Sequence, residues 1–299
     1  MSFIEKGVAL FWQNTKRQDD KRIATLSIPE GVTEVNNLPY LDDGHSFHLL
    51  DTYYPENTEG KLPVIIDVHG GGWAYGDKEL NKIYCLTLAK MGYVVFNMSY
   101  RLYPEVNAHD QLEDIRHALY WIKEHLSDFP CDENNIYLTG DSAGGMLAGF
   151  TAMLSQSSEI RYIFGIEDAG LRFNAVALTS PVAYMDDKFP MSFYTNLMLG
   201  GKAFRKEKWA PYVNFDRLLP LGKMPPTFLL TSSGDFLARE QTRRCARDIR
   251  EYGTDVQLMD FCKFKGEDLP HVFPILYPES EASQRAINEM LSFFKKYAR

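Results

Sequence analysis

Residues 61–73 read KLPVIIDVHGGGW. An apolar, β-branched run of this length, stopped by glycines, makes a strand with apolar side chains on both faces. Such a strand must be covered on two sides, which places it inside a mostly parallel sheet flanked by helices. The rest of the chain supplies those layers in turn. ELNKIYCLTLAKM (79–91) is helix-like and ends at Gly92, and YVVFNMSY (93–100) is strand-like. AHDQLEDIRHALYWIKEHL (108–126) carries apolar residues at helical spacing, NIYLTG (135–140) is a short strand, and SAGGMLAGFTAMLSQ (142–156) is a helix despite its early glycines. FNAVALTSP, PPTFLLTSS and DVQLMDF are further strands; ARDIREYG and ESEASQRAINEMLSFFKKYA are helices. Strand and helix taking turns in this way defines an α/β chain.

Ahead of this alternation, residues 3–15 fit an amphipathic helix. VNNLPYLDDGHSFHLLDTYYP (35–55) alternates around Asp43-Gly44, a hairpin signal. One stretch breaks the rhythm later on. Residues 182–224 separate two strands and are rich in Met, Phe and Tyr. A connection this long is an insertion with helices of its own, placed to form a lid over a pocket. The whole reads as one domain, 1–299, without internal repeats or low-complexity tracts.

Composition narrows the function classes. The chain has 299 residues, 45% hydrophobic and 24% charged, with a net charge of −8. An acidic surface repels phosphate backbones, so nucleic acid is not an expected partner. The most basic short stretch, FRKEKW (204–209), reads as a solvated helix face. The four cysteines, Cys85, Cys131, Cys245 and Cys262, form no C-x-x-C pair and read as buried free thiols. Glu5 and Lys6 interrupt the N-terminal apolar residues, and no run approaches 18 apolar residues. The expectation is a cytoplasmic protein without membrane insertion.

Gly140-Asp141-Ser142-Ala143-Gly144 fits G-x-S-x-G, a pattern that arises by chance roughly 0.1 times in a chain this long. Its context makes it specific: a strand precedes it and a helix follows, the setting of a nucleophile elbow. In His69-Gly70-Gly71-Gly72-Trp73, glycines after a buried strand let backbone N–H groups face a cleft. Acyl transfer needs such donors for its oxyanion. Gly71 and Gly72, with Ala143, are the candidates. A phosphate loop would carry Lys-Ser or Lys-Thr after its glycines, and none follows. His69 precedes the glycines and reads as a structural residue of the loop.

A serine nucleophile needs a base. Of the seven histidines, His45 and His48 fall in the hairpin, and His109, His117 and His125 fall on or beside one helix. His271 lies after the last strand in GEDLPHVF, where an elbow-type hydrolase places its base. The acid should follow a strand between Ser142 and His271. Asp235 does so directly, at the C-terminal end where ligand sites of open α/β sheets gather. Glu240, Asp255, Asp260 and Asp268 are its rivals.

Together HGGGW, YRLYPE (100–105), GDSAGG, GDFLARE (234–240) and HVF resemble the hormone-sensitive-lipase-like branch of the α/β-hydrolase esterases, in that family's order and over residues 50–299. Tyr103 replaces an alanine and Phe236 a proline of the family's pattern; neither is a triad position. The resemblance implies an α/β-hydrolase fold with a helical cap from residues 1–40 and 183–222. It also implies a serine carboxylesterase with Ser142, Asp235 and His271 as triad and no cofactor or metal, and the aromatic-rich insertion points to small, fairly apolar esters. An amidase, formamidase or peptidase with the same triad stays open. A non-catalytic small-molecule receptor is the third reading, disfavoured because all three catalytic residue types are present. A homodimer through the last sheet edge is compatible with the sequence. Asp141 has no assigned part beyond supporting the elbow.

Overall fold

The computed structural model describes residues 3–185 and 191–299. Helix α1 (Phe3–Ile23) comes first, followed by strands β1 (Val32–Pro39), β2 (Leu49–Pro55) and β3 (Leu62–Val68). Alternation then sets in: α2 (Lys78–Lys90), β4 (Val94–Met98), α3 (Ala108–His125), β5 (Cys131–Asp141), α4 (Ser142–Gln156), α5 (Ser158–Phe164) and β6 (Ala175–Thr179). Two helices of the insertion, α6 (Met191–Met198) and α7 (Phe215–Leu218), precede β7 (Thr227–Ser232). α8 (Arg239–Glu251), β8 (Val256–Phe261), α9 (Phe273–Leu276) and α10 (Glu281–Lys295) close the described chain.

The eight strands form one sheet in the order β1-β2-β4-β3-β5-β6-β7-β8. β1 and β2 are antiparallel to their neighbours, and every pairing from β4 to β8 is parallel. The continuous apolar runs now have their reason. Val64, Ile66 and Val68 of β3 join one core with α3, α4 and α8, while Ile65 joins a second core with α2 and α10. β5 divides in the same way, with Ile136 and Leu138 on one face and Tyr137 on the other. These two central strands bury both of their faces because side chains alternate across the sheet.

Several sequence readings need correction. α1 runs to Ile23 rather than residue 15, and α8 begins at Arg239 rather than Ala246. Of the 1–40 stretch expected in a cap, Val32–Pro39 instead form the edge strand β1. Residues 1–2 and 186–190 of the expected cap lie outside the described residues. The charged residues of FRKEKW are solvated as expected, but on a short 3-10 turn (Phe204–Lys206) rather than a helix face, and Trp209 is buried, stacked on His109 at 5.1 Å. Cys85, Cys131 and Cys245 are buried free thiols, whereas Cys262, just beyond the outer strand β8, is exposed. The hairpin holds as the β1–β2 pair, its link tied by His48 Nδ1 to Asp43 at 2.6 Å.

Candidate active site

Parallel strands deliver their C-terminal ends to one edge of the sheet. Val68 of β3 pairs with Gly140 of β5, and Asp141 pairs with Thr179 of β6. The glycine loop leaves β3 there, and Ser142 leaves β5. Asp235 follows β7, and the loop carrying His271 follows β8. Residues scattered along the chain therefore converge at the edge where open α/β sheets bind ligands.

Ser142 is the turn itself. Its φ of +53° lies in the left-handed region, costly for a residue with a Cβ, and it starts α4 directly from the end of β5. The flanking glycines make this crossing possible. A Cβ at Gly144 would sit 2.2 Å from the carbonyl oxygens of both His69 and Val68. A Cβ at Gly140 would sit 2.5 Å from the Gly144 carbonyl. With hydrogen alone there, α4 presses against the end of β3, and Ser142 stands at its N-terminus, where negative charge is favoured.

His271 Nε2 lies 2.9 Å from Ser142 Oγ, and His271 Nδ1 lies 2.8 Å from Asp235 Oδ1. Asp235 is buried and fully bonded. Oδ1 also accepts from the amides of Leu237 and Ala238, and Oδ2 accepts from Thr231. Burial pulls the Asp235 pKa up, but the His271 hydrogen bond and charge, with Ser180 and the Ala238 amide, carry it below the usual carboxylate value. An ionised Asp235 requires the proton on Nδ1, which leaves Nε2 bare toward the serine. The two loops are stitched together. Ser232 Oγ donates to the Leu269 carbonyl, Ser233 Oγ donates to Asp268, and Gly234 bridges Pro270 in parallel.

The rival acids are occupied elsewhere. Asp260 pairs with Arg239 and Arg243, Glu240 is an exposed partner of Arg243, and Asp255 accepts from the Tyr297 hydroxyl. Asp268 faces Ser233 and Lys263.

The glycine loop is pinned group by group. Tyr100 Oη donates to the His69 carbonyl at 2.7 Å, and its ring stacks on the imidazole at 4.3 Å. Gly70 N–H donates to Asp141 at 2.9 Å. The Gly72 carbonyl accepts from Tyr194 Oη at 2.6 Å. The Trp73 carbonyl accepts from Gln111 Nε2 and from the Tyr103 amide. Among the described residues, the amides of Gly71 and Gly72 donate to nothing in the protein. The Ala143 amide is in the first turn of α4, where helical amides lack an intrahelical acceptor. Gly71 and Gly72 hold φ of +110° and +58°, and a Cβ on Gly71 would lie 1.9 Å from the Tyr75 carbonyl. Burial lowers the His69 pKa to about 4, so the ring is neutral, its Nδ1–H given to the Gly70 carbonyl. His69 is thus a loop anchor, as its position before the glycines predicts.

Sequence reasoning missed the support beneath the elbow. Asn81 of α2 donates from Nδ2 to Asp67 at 2.8 Å and to Asp141 at 2.9 Å, and Thr139 donates to Asp67 at 2.7 Å. Burial, with the nearby Asp67 charge, raises the Asp141 pKa to about 7 despite the Asn81 and Gly70 bonds. An aspartate within an apolar strand run, VIIDV, was the available signal for Asp67. The YRLYPE segment also has a physical role: Arg101 forms an ion pair at 2.6 Å with buried Asp114 of α3, which seats Tyr100 beneath the loop. No group of His, Cys, Asp and Glu fit to hold a metal occurs among the described residues.

An eight-stranded, mostly parallel sheet with a serine elbow, histidine and aspartate hydrogen-bonded along its C-terminal edge defines an α/β hydrolase. The BD-FAE family model matches residues 50–188. The crystal structure of esterase B from Lactobacillus rhamnosis superposes with a TM-score of 0.90 at 30% identity, covering 98% of this chain and 94% of that one. The isoprenylcysteine alpha-carbonyl methylesterase ICME of Arabidopsis thaliana is 28% identical over 204 residues, 62% of this chain and 46% of the relative. The probable carboxylic ester hydrolase LipM of Mycobacterium tuberculosis is 30% identical over 152 residues, 50% of this chain and 35% of the relative. The match thus spans less than half the length of these curated relatives. The chain belongs to the α/β-hydrolase esterases, with esterase B among its relatives.

Proposed function

We propose that this protein is a serine carboxylesterase for small, fairly apolar esters. The observation that carries the reading is the hydrogen-bonded line from Asp235 through His271 to Ser142. Ser142 Oγ attacks the ester carbonyl carbon while His271 Nε2 takes its proton. Asp235 keeps the imidazole in the tautomer that leaves Nε2 bare and stabilises the imidazolium that forms. The carbonyl oxygen becomes an oxyanion held by the amides of Gly71, Gly72 and Ala143. Collapse of the tetrahedral adduct expels the alcohol, which takes the proton from His271. Water then gives a proton to His271 and attacks the acyl-enzyme; the acid leaves and Ser142 is restored. No step calls for a metal or organic cofactor.

α1 and the insertion helices act as a cap, with α1 and α6 meeting over Gly72. A cap close above the oxyanion loop supports a preference for short acyl chains. So does a phosphonate of tributyrin, the inhibitor named in a structure of the related esterase B, which is 31% identical to this chain. No helix among the described residues is long and apolar enough to cross a membrane, and the cysteines are free, which supports action on small-molecule esters in the cytoplasm. The outer strand β8 supports self-association, which sedimentation velocity would test.

The deciding experiment compares p-nitrophenyl acetate, butyrate and longer esters with anilides and small peptides, alongside fluorophosphonate labelling. Turnover should fall from butyrate to longer chains, and label should attach to Ser142. Peptide or anilide turnover without ester turnover would replace this reading with an amidase. An unlabelled Ser142 would favour a receptor.

A further inference from the structure

Gly72 is gripped from outside the main fold. A Cβ there would meet the Trp12 ring at 2.5 Å and Tyr194 Oη at 2.9 Å. Trp12 is on α1 and Tyr194 on α6, 182 residues apart. The Trp12 indole N–H donates to Tyr194 Oη at 3.1 Å, and the same hydroxyl donates to the Gly72 carbonyl at 2.6 Å. A hydroxyl that accepts one bond while donating another is polarised, and its donated bond is strengthened. Burial raises the Tyr194 pKa, so the phenol stays protonated and a donor across the neutral range. α1 grips the loop at a second point. Trp12 stacks on Tyr75 at 5.2 Å, and the Tyr75 hydroxyl donates to Asp19 at 3.0 Å. Asp19 lies seven residues beyond Trp12, two helical turns along the same face.

The Gly72 carbonyl belongs to the peptide plane that ends at the Trp73 amide. Its direction fixes ψ of Gly72, a glycine with no side chain to hold its own backbone. The neighbouring amides of Gly71 and Gly72 are the two that donate to nothing within the described residues.

We propose that Tyr194, backed by Trp12, is a positioning residue. By holding the Gly72 carbonyl it aims the Gly71 and Gly72 amides at the oxyanion, so the cap completes the oxyanion hole as well as shaping the pocket. This rests on the esterase reading above. The phenol touches neither substrate nor the reacting atoms; it acts through the loop. Misaimed donors lose stabilisation of the transition state while ground-state binding is kept, so the effect falls on kcat rather than KM.

The test uses the full chain with Tyr194→Phe, Trp12→Phe and the double variant, assayed with p-nitrophenyl butyrate, with Tm measured for each. Tyr194→Phe keeps the ring and removes only the bridging hydroxyl. Its kcat should fall about tenfold, with KM within about twofold and an unshifted pH profile. Trp12→Phe should cost less, and the double variant should be no slower than Tyr194→Phe, because the indole works through the phenol. An unchanged kcat in Tyr194→Phe with ester turnover intact would overturn the proposal alone. So would a loss confined to KM, or single effects that multiply in the double variant, either of which marks a pocket wall. Absence of ester turnover in the unmodified protein would overturn the esterase reading and this proposal together.

Discussion

Ser142 and Asp141 are adjacent, yet their burdens differ. Ser142 carries the left-handed backbone, a strain of about 1–3 kcal/mol that persists because the surrounding packing fixes it. Asp141 carries buried charge in support of the loop: its Oδ1 accepts from both Gly70 and Asn81. An asparagine keeps a carbonyl oxygen for both donors, so Asp141→Asn should retain kcat within about tenfold. Asp235→Asn disturbs the tautomer of His271 and should cost about three to four orders of magnitude in kcat. Equal losses would identify Asp141 as the acid. The same variant has a stability signature. The Asp141 pKa is raised to about 7 from an unfolded value of about 3.9. Its protonated form stabilises the fold at low pH, and that contribution is lost as pH rises from about 4 through about 7. The Tm of Asp141→Asn relative to the unmodified protein should therefore climb from pH 5 to about 7 and level off above it. A difference that is flat with pH would mean the carboxylate is not held in this way.

Among the elements, α4 shows how much of the site a short sequence can announce. Its start, the strand before it and the glycines around it were all legible, because each is a local consequence of φ, spacing and close approach. The prediction at this scale follows from Gly144. Backbone carbonyls of Val68 and His69 cannot retreat from a new Cβ as a flexible side chain can, so Gly144→Ala should destabilise the fold by about 3 kcal/mol or more in denaturant titration and remove activity. What was not legible is equally physical. Tyr194 sits in an insertion with no interpretable period, and its partners lie on α1 and on the glycine loop, far away in sequence. Asn81 looked like any polar residue on a helix, and only the sheet shows that it spans two carboxylates. The resemblance put β1 in the cap, and the sequence offered little against it at Val32–Pro39, where an edge strand lacks the apolar run that marks interior strands.

Over the whole molecule, chemistry and scaffold separate to opposite ends of the strands. The C-terminal edge carries Ser142, Asp235, His271 and the glycine loop. At the other end, Asn135 exchanges hydrogen bonds with the Arg299 backbone, and Asn174 donates to the Tyr297 carbonyl, which seats the end of α10 beneath β5 and β6. Asn135→Ala should cost about 1–3 kcal/mol of stability by denaturant unfolding, while kcat/KM stays within about twofold. A large loss of turnover would show that the two ends are coupled through the sheet.

The distances along the chain between the parts of the site have a consequence for synthesis. Ser142 leaves the ribosome 129 residues before His271. At ordinary elongation rates that interval is on the order of ten seconds. Through it the nascent chain carries a hydroxyl with no base to take its proton, so it cannot acylate itself on passing metabolites or on esters of the cell's own making. The line from Asp235 to Ser142 can close only after His271 has been made and brought to the C-terminal edge of the sheet.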